Sequence, residues 1–493
     1  MRVPLLFRPP RPGVSAFLCG LFAFSFYALT GSRTIQWQDS AQFTYRISSG
    51  TLWNEYGLAM VHPLHFWLGR GMIALFPGPD PWAVSLASAA GGGLAVGLLF
   101  LCVLRLSGRE SAALFGALTL LWAHSFWRFS GLPEVYTLSA ALMLAQGWVY
   151  LQMQDPKTGG AGWFVLFFLN GLAFSNHNLA LLSLAVWGLT FLRICLRLPG
   201  AWIRILAAGL CWLLGSLPYT LILGLETLQT GDPAAVLHSA LFGEGFKEQV
   251  ISWLPEPRIL LVSLGFMLLS FPGFSLLLAG AGLLRGDGQG AKIPRPLLWI
   301  CLLQLGFFLR YNVIDQYTFL IPVYGWIALM AGLGYAGIAH PVRRNVLWIL
   351  LLAQPLFYAA VPEAVRQSGV LYSVARHKPY RDDAAYLFYP WQLQERSADR
   401  LMREAFDRLG SRGILVVEDA MAVYSAAWMR QELGLKETVL ILRPQDVWSL
   451  SPGERAVWIP SRSDSTPAPG WQKQGEVWVL NPPRQMPAPV RPE

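Results

Sequence analysis

The chain has 493 residues, of which 54% are hydrophobic and only 14% charged, and its mean hydropathy is +0.42. Because soluble globular domains carry about 25% charged residues, this composition excludes a soluble globular enzyme and predicts a polytopic membrane protein. The net charge of +9 indicates basic cytoplasmic loops. No basic run is interleaved with aromatic residues, so no nucleic-acid partner is expected.

Apolar segments fill the first three quarters of the chain. Eleven candidate helices lie at residues 14–30, 82–104, 111–126, 133–152, 163–175, 179–192, 201–225, 259–284, 297–309, 317–339 and 346–361. Several are shorter than the roughly 20 residues that cross hydrocarbon, so re-entrant and buried helices are alternatives to full spans. The run after Arg2, Arg8 and Arg11 is predicted to be an uncleaved first span, with a cleaved signal peptide as the alternative.

The distribution of basic residues predicts which side of the membrane each loop occupies. With the N-terminus in the cytoplasm, the inner segments hold pairs such as Arg105 and Arg109, Arg193 and Arg197, and Arg343 and Arg344. The outer segments hold fewer basic residues over a greater length. The positive-inside rule therefore favours a cytoplasmic N-terminus and a C-terminal region on the outer face.

Three regions follow from this pattern. Residues 1–367 are predicted to form a transmembrane domain whose first outer loop, at about 31–81, is long enough to hold short interfacial helices. Residues 368–465 alternate helix-like segments (382–409, 420–433) with strand-like ones (413–417, 438–442, 456–459, and beyond them 476–480), which predicts a small α/β domain with a partly parallel sheet. Residues 466–493 are rich in proline and predict an extended tail.

Ionisable residues at the ends of apolar helices are the informative ones, because they are costly unless they face a cavity or a partner. Asp39 follows the first span and is a candidate general base, although Asp39 and Gln42 also have the spacing of a helix-capping box. His62 and His65 are three residues apart, but no carboxylate or thiol at ligand spacing accompanies them, so a metal is not expected. The five cysteines all lie in apolar segments and predict buried small side chains.

Other polar residues are predicted at the same outer face. Pro133 and Glu134 are placed in the first turn of a helix, where both are also favoured for helix initiation, and Tyr136 follows them. Asn176, His177 and Asn178 join two short apolar segments, 163–175 and 179–192, that form either two spans or one re-entrant hairpin. Arg310 lies at a helix end, where it suits a lipid phosphate or serves as a membrane anchor with Asp315 as a local partner.

These stretches together resemble the GT-C glycosyltransferases. Within them the chain most resembles the bacterial multi-span family that is related to the vertebrate protein O-mannosyltransferase acting on IPT domains. The matching stretches are Trp37–Gln42, His62–Pro63, Trp127 through Leu138, and Gly171–Asn178. The resemblance implies a mainly α, GT-C-type helical bundle, a sugar donor carried on polyprenyl phosphate, an inverting transfer to a hydroxyl and a catalytic acid in the first outer loop, here Asp39.

Two positions depart from the family pattern. The family usually has Glu where this chain has Gln42, and a second Pro where it has Leu64. If that Glu binds the acceptor, the change predicts either a different acceptor or an impaired site. The resemblance does not extend to the C-terminal α/β region, and it fixes neither sugar nor acceptor.

The resulting hypothesis is a bacterial inner-membrane enzyme that transfers mannose or a similar hexose from a lipid-linked donor to a protein, glycan or lipid hydroxyl. Asp39 activates the acceptor. Gln42, His62, Glu134 and Tyr136 bind acceptor or sugar, and the donor phosphate meets Asn176, His177, Asn178 and Arg310. No cofactor or metal is expected, because phosphate is already a good leaving group. The alternatives are a transporter or flippase of a lipid-linked sugar precursor, and a catalytically silent scaffold.

Overall fold

The computed structural model describes residues 12–155, 160–245, 247–250, 252–284, 292–369, 377–420, 422–436, 439–442, 455–467 and 470–480. Arg2, Arg8 and Arg11, and residues 481–493 of the predicted tail, lie outside this part of the chain. The described residues are mainly helical, with one small sheet near the C-terminus.

The helical region runs from Pro12 to Ser368. Its α-helices are α1 (Pro12–Thr30), α2 (Gln38–Ser49), α3 (Pro63–Leu75), α4 (Asp80–Ser107), α5 (Glu110–Trp122), α6 (His124–Ser130), α7 (Tyr136–Gln152), α8 (Gly162–Asn176), α9 (Ala180–Cys195), α10 (Ala201–Thr230), α11 (Pro233–Phe242), α12 (Lys247–Val250), α13 (Pro257–Ser270), α14 (Phe274–Leu284), α15 (Arg295–Arg310), α16 (Ile321–Ala336), α17 (Pro341–Leu352) and α18 (Gln354–Ser368). Within the described residues, two 3-10 helices lie between the α-helices, at Leu58–Met60 and Gln316–Leu320.

The described residues contain four helical segments long and apolar enough to cross a membrane, namely α1, α4, α10 and Gln316–Ala336. The count reaches six if each of two bent pairs is one span: α13 with α14, bent by 89°, and α17 with α18, bent by 49°. The outward face of α10 exposes Ile203, Leu206 and Leu210, which suits contact with lipid. The protein is therefore a membrane protein, while the exact number of spans, predicted as about eleven, stays a prediction.

Several helix boundaries differ from the sequence prediction. The apolar run 111–126 breaks at Ala123 into α5 and α6, and 259–284 and 346–361 are sharply bent rather than continuous. The helix predicted from residue 133 begins only at Tyr136, so Pro133 and Glu134 are not in its first turn. The helix predicted over 382–409 is two helices, α19 (Asp383–Phe388) and α20 (Ser397–Leu409).

The segment predicted as the first outer loop, residues 31–81, contains helices α2 and α3, while its position at the membrane surface stays a prediction. Helix α2 begins at Gln38 after the N-cap residue Trp37, which makes no side-chain capping hydrogen bond. Asp39 therefore lies inside the first turn, and the alternative that Asp39 and Gln42 form a capping box is wrong. Buried Arg46 ties the rest of the loop to this helix, since its guanidinium donates to the carbonyl oxygens of Leu52, Trp53, Met60 and Val61.

The C-terminal sheet has the strand order β2-β1-β3-β5-β4. Its strands are β1 (Gly413–Val417), β2 (Val439–Leu442), β3 (Ala456–Ile459), β4 (Gln472–Gln474) and β5 (Val477–Leu480), and helix α21 (Ala422–Glu432) joins β1 to β2. Strand β1 pairs parallel with β2 and β3, and β5 pairs antiparallel with β3 and β4, so the sheet is partly parallel, as predicted. Residues 472–480 thus belong to this sheet rather than to the tail predicted from residue 466.

The C-terminal region and the first outer loop share one hydrophobic core. Ile35, Trp37 and Ala41 are buried among side chains of α20, α21 and the sheet, such as Leu401 and Trp428. Burial of apolar surface is the main source of cohesion between packed elements. The loop that carries Asp39 is therefore packed into the same core as the C-terminal region. We call the described part of this region, within residues 377–480, the α/β unit.

Candidate active site

Segments that are distant in sequence meet around a cavity of about 690 Å³. Its polar wall comes from α2, the loop before α7, the turn between α8 and α9, and the segment after α15. Its apolar wall comes from α9, α11, α13 and α15, with side chains such as Leu182, Phe242 and Phe307. All the polar segments are ones that the sequence predicts at a single membrane face. A cavity with one polar and one apolar wall suits an amphiphilic ligand.

Seven of the nine predicted site residues line this cavity. They are Asp39, Gln42, His62, Glu134, Tyr136, His177 and Asn178. The other two, Asn176 and Arg310, are not among the lining residues. Sequence reasoning therefore located most of the cavity, while the roles assigned to these residues stay predictions.

Asp39 lies in the first turn of α2 and lines the cavity. Burial, with the nearby Asp315 carboxylate as a smaller cause, raises the pKa of Asp39 to about 7. The carboxyl group can therefore exchange a proton at neutral pH, as a general base must.

Glu134 is held beside Asp39 by two serines. Ser40 Oγ donates to Glu134 Oε1 at 3.1 Å. Ser88 Oγ accepts from the Glu134 backbone N–H at 2.9 Å and donates to the Glu134 carbonyl at 2.7 Å. Burial, followed by the charge of Asp39, raises the pKa of Glu134 well above its usual range. This shift favours the protonated form of Glu134, which can donate a hydrogen bond.

Two stacked imidazoles, His62 and His177, form another part of the wall, with ring centroids 5.2 Å apart. Burial lowers the pKa of His62 to about 4 and that of His177 well below its usual value, so both rings are neutral at pH 7. His62 Nδ1 lies 2.8 Å from the carbonyl oxygen of Asn176, which can only accept, so this nitrogen carries the proton. His177 Nδ1 instead accepts from the Leu179 N–H at 3.1 Å, which leaves its Nε2 as a donor.

Gln42 is 1% exposed and lines the cavity. Its amide Nε2 lies 3.5 Å from Asn54 Oδ1, and Asn54 also accepts from the Tyr56 N–H at 2.9 Å. A carboxylate at position 42 would face that acceptor oxygen instead of donating to it. The neutral amide therefore fits the local hydrogen-bonding pattern of this chain.

Asn176 and Arg310 have structural partners. The Asn176 amide donates to the Val135 carbonyl and to Ser139 Oγ, at 3.0 and 2.8 Å, and so joins the end of α8 to the start of α7. Arg310 Nε donates to the Ser252 carbonyl at 3.0 Å, and its guanidinium lies 4.1 Å from the Trp253 ring centroid. Its neighbours Tyr311, Asn312 and Asp315 line the cavity in its place.

The structure also shows lining residues that sequence reasoning did not assign to the site. Asp315 influences both Asp39 and Glu134, although its sequence position suggested only a local partner for Arg310. Gln38 lines the cavity with a left-handed φ of 58°, as does the predicted site residue His62 with a φ of 50°. Non-glycine residues in this conformation are costly and concentrate at functional sites. No sequence signal predicts this backbone conformation at either position.

A metal centre is not formed by the described residues, where no group of three His, Cys, Asp or Glu side chains is placed to hold an ion. His65 is fully buried and does not line the cavity. The metal independence of the reaction stays a prediction.

A family model matches part of the sequence. Residues 58–195 match the N-terminal domain of the protein O-mannosyl-transferase TMEM260. This segment includes His62, Glu134, Tyr136 and the Asn176–Asn178 turn, but it begins after Asp39 and Gln42. No curated protein matches the sequence significantly.

Two solved structures share the fold over almost the whole chain. ArnT from Cupriavidus metallidurans bound to undecaprenyl phosphate has a TM-score of 0.59 at 15% identity and covers 95% of this chain and 97% of its own. The apo form of the same enzyme has a TM-score of 0.57 at 16% identity and covers 90% and 92%. The sequence indicates a resemblance to the GT-C glycosyltransferases. The fold that the chain shares with ArnT and the match of residues 58–195 to the O-mannosyl-transferase family model confirm this resemblance.

Proposed function

We propose that the protein is a membrane glycosyltransferase that moves a sugar from a polyprenyl-phosphate donor to an acceptor hydroxyl. The observation that carries this proposal is Asp39, a carboxyl group with a pKa of about 7 in a cavity with both polar and apolar walls. The fold shared with ArnT, which has been solved with bound undecaprenyl phosphate, supports a lipid-linked donor. The match to an O-mannosyl-transferase domain supports mannose or a similar hexose as the sugar.

The reaction is a single displacement at the anomeric carbon. The acceptor oxygen attacks that carbon while Asp39 takes the hydroxyl proton. The bond between the anomeric carbon and the phosphate oxygen breaks, and the polyprenyl phosphate leaves with the electron pair. Attack opposite the leaving group inverts the anomeric configuration, and no metal or cofactor is needed because phosphate carries the negative charge itself.

The other lining residues bind the reactants. The apolar wall of α9, α11, α13 and α15 holds the first isoprene units of the donor. His177 Nε2–H and the Asn178 amide face its phosphate or sugar, and Arg310 reaches the phosphate once it leaves Trp253. Gln42, His62, Glu134 and Tyr136 orient the acceptor and the sugar. His62 Nε2 is an acceptor for a hydroxyl, and protonated Glu134 is a donor.

We place the reaction at the outer face of a bacterial inner membrane, with a cytoplasmic N-terminus and the α/β unit outside. The acceptor is a hydroxyl of a protein, a glycan or a lipid. The basic residues near Arg105, Arg193 and Arg343 support this orientation.

The test is donor consumption in nanodiscs. Purified protein is incubated with radiolabelled polyprenyl-phosphate mannose, glucose and arabinose, with serine and threonine peptides and simple mannosides as acceptors. We expect loss of one donor, unaffected by a chelator, and a reduction of about 100-fold or more in Asp39→Asn. Asp80→Asn removes a carboxylate at the first residue of α4, outside the cavity, and is the matched control. Full turnover in Asp39→Asn refutes the assignment of Asp39 as the base. Movement of intact donor across vesicle membranes without consumption indicates a flippase instead. If the protein neither consumes nor moves the donor, it is a scaffold.

A further inference from the structure

The segment that precedes α2, residues 34–37, is hydrogen-bonded to the C-terminal region. Thr34 Oγ1 and Gln36 Nε2 donate to the Glu395 carbonyl at 3.0 and 3.2 Å. Ser425 Oγ, on α21, donates to the Gln36 carbonyl at 2.9 Å. These bonds join residues about 360 to 390 positions apart in the sequence. The start of α2 is thus fixed by long-range contacts and not by a local cap.

Trp37 is the centre of this attachment. Its side chain is 2% exposed, and its Nε1–H donates to Ser397 Oγ at 2.8 Å. The Lys378 ammonium, which is paired with Asp419, lies 4.7 Å from the Trp37 ring centroid. An indole that is both buried and hydrogen-bonded has one defined orientation. The α/β unit therefore determines where the chain stands two residues before Asp39.

The backbone between Trp37 and Asp39 makes this attachment necessary. Trp37 is extended, with φ −86° and ψ 162°, whereas Gln38 has a φ of 58°. A left-handed non-glycine residue persists only where its surroundings hold it on both sides. Helix α2 holds Gln38 on one side, and Trp37 in the α/β unit holds it on the other.

We propose that the α/β unit positions the catalytic carboxylate, with Trp37 as the positioning residue through which the unit acts on Asp39. Helices α20 and α21 then serve as the external support of the active-site helix α2. The proposal rests on the proposed role of Asp39 as base, but it concerns the placement of its side chain and is measurable without turnover.

The experiment weakens the attachment from both sides in the full-length protein. Ser397→Ala removes the acceptor of the Trp37 indole, Ser425→Ala removes the donor to the Gln36 carbonyl, and Trp37→Phe keeps a ring without the N–H. Ser411→Ala, at an exposed serine in the turn between α20 and β1, is the matched control. The first readout is hydrogen exchange of the amides of residues 36–47. The second is the infrared titration of the Asp39 carboxyl, defined by subtracting Asp39→Asn.

Loosening α2 increases the contact of Asp39 with water, and water lowers a pKa that burial and the nearby Asp315 have raised. We expect the titration midpoint of Asp39 to move toward acid by about one pH unit in the three attachment variants, and exchange in 36–47 to rise about fivefold. The pH–rate profile should shift in the same direction. Ser411→Ala should resemble the wild type.

The outcomes separate this proposal from the proposed function. Unchanged exchange and an unchanged midpoint in all three variants overturn it, as does an equal shift in Ser411→Ala. A shifted midpoint in a protein that consumes no donor supports the positioning role while refuting the glycosyltransferase assignment. Rates that fall without any change in exchange or midpoint place Trp37 outside the positioning of Asp39 and also overturn the proposal.

Discussion

Asp39 is expected to set the pH dependence of turnover. Only the carboxylate form accepts a proton, and the pKa of this group is raised to about 7 by burial. Turnover should therefore rise as the pH increases through about 7 and level off above it, because the pKa marks half-deprotonation. The measurement is donor consumption from pH 5 to 9 at saturating donor. A profile that is flat down to pH 5 would mean that Asp39 keeps an ordinary carboxyl pKa or takes no proton.

At the scale of residues, the sequence predicted the site better than its chemistry. Asp39, His62, Glu134 and His177 line the cavity, and the sequence singles them out both as polar residues near apolar segments and as parts of the stretches that resemble the GT-C family. The proton positions of His62 and His177 could not be predicted, since they depend on the carbonyl of Asn176 and the N–H of Leu179. These contacts exist only once the turn after α8 packs against the first outer loop.

The helix pair α8 and α10 is held together by glycines, and this contact positions the His177 turn. A Cβ atom on Gly215 would lie 2.1 Å from the Phe168 carbonyl oxygen, and one on Gly171 would lie 2.2 Å from the Trp212 carbonyl oxygen. Real side chains cannot approach backbone this closely, so the two helices would have to separate. Close approach through small residues is a common way for membrane helices to pack.

Gly215→Ala is therefore expected to destabilise the protein by about 1–3 kcal/mol, the usual cost of overpacking. It should also weaken donor binding, because α8 ends at the His177 turn. Gly209→Ala is the matched control on the same helix, since nothing lies within 4 Å of a Cβ at that position. Thermal unfolding in detergent compares the two. Equal melting temperatures would show that the α8–α10 contact is looser than described.

Helix breaks were the elements that the sequence could not predict. The apolar run 111–126 reads as one helix, yet it breaks after Trp122. The Trp122 carbonyl, freed by the break, accepts hydrogen bonds from Tyr358 Oη at 3.0 Å and Gln354 Nε2 at 3.2 Å. Both partners lie on α18, more than 230 residues away. A freed backbone group in an apolar environment requires a partner, and a local pattern cannot show that one exists.

In the whole molecule, the polar segments that the sequence predicts at one membrane face come together in the polar wall of the cavity. The first outer loop, the segment before α7, the Asn176–Asn178 turn and the segment after α15 all reach one cavity. The packing of the α/β unit against residues 34–41 was not predicted. The change in composition near residue 368 marks the end of the apolar helices, but it carries no information on which segments pack together. The family resemblance also stopped before that region.

The orientation of the chain in the membrane stays a prediction. If the N-terminus is cytoplasmic, the loop between α4 and α5 is inside and the α/β unit is outside, since an odd number of crossings separates them in the predicted topology. Glu110, the first residue of α5, is exposed next to the loop between α4 and α5, and Ser411 is exposed in the α/β unit. In a variant without native cysteines, Ser411→Cys should react with a membrane-impermeant maleimide in intact spheroplasts, whereas Glu110→Cys should react only after lysis. The reverse pattern would place the cavity on the cytoplasmic side, where the donor and the acceptor would both have to be cytoplasmic molecules.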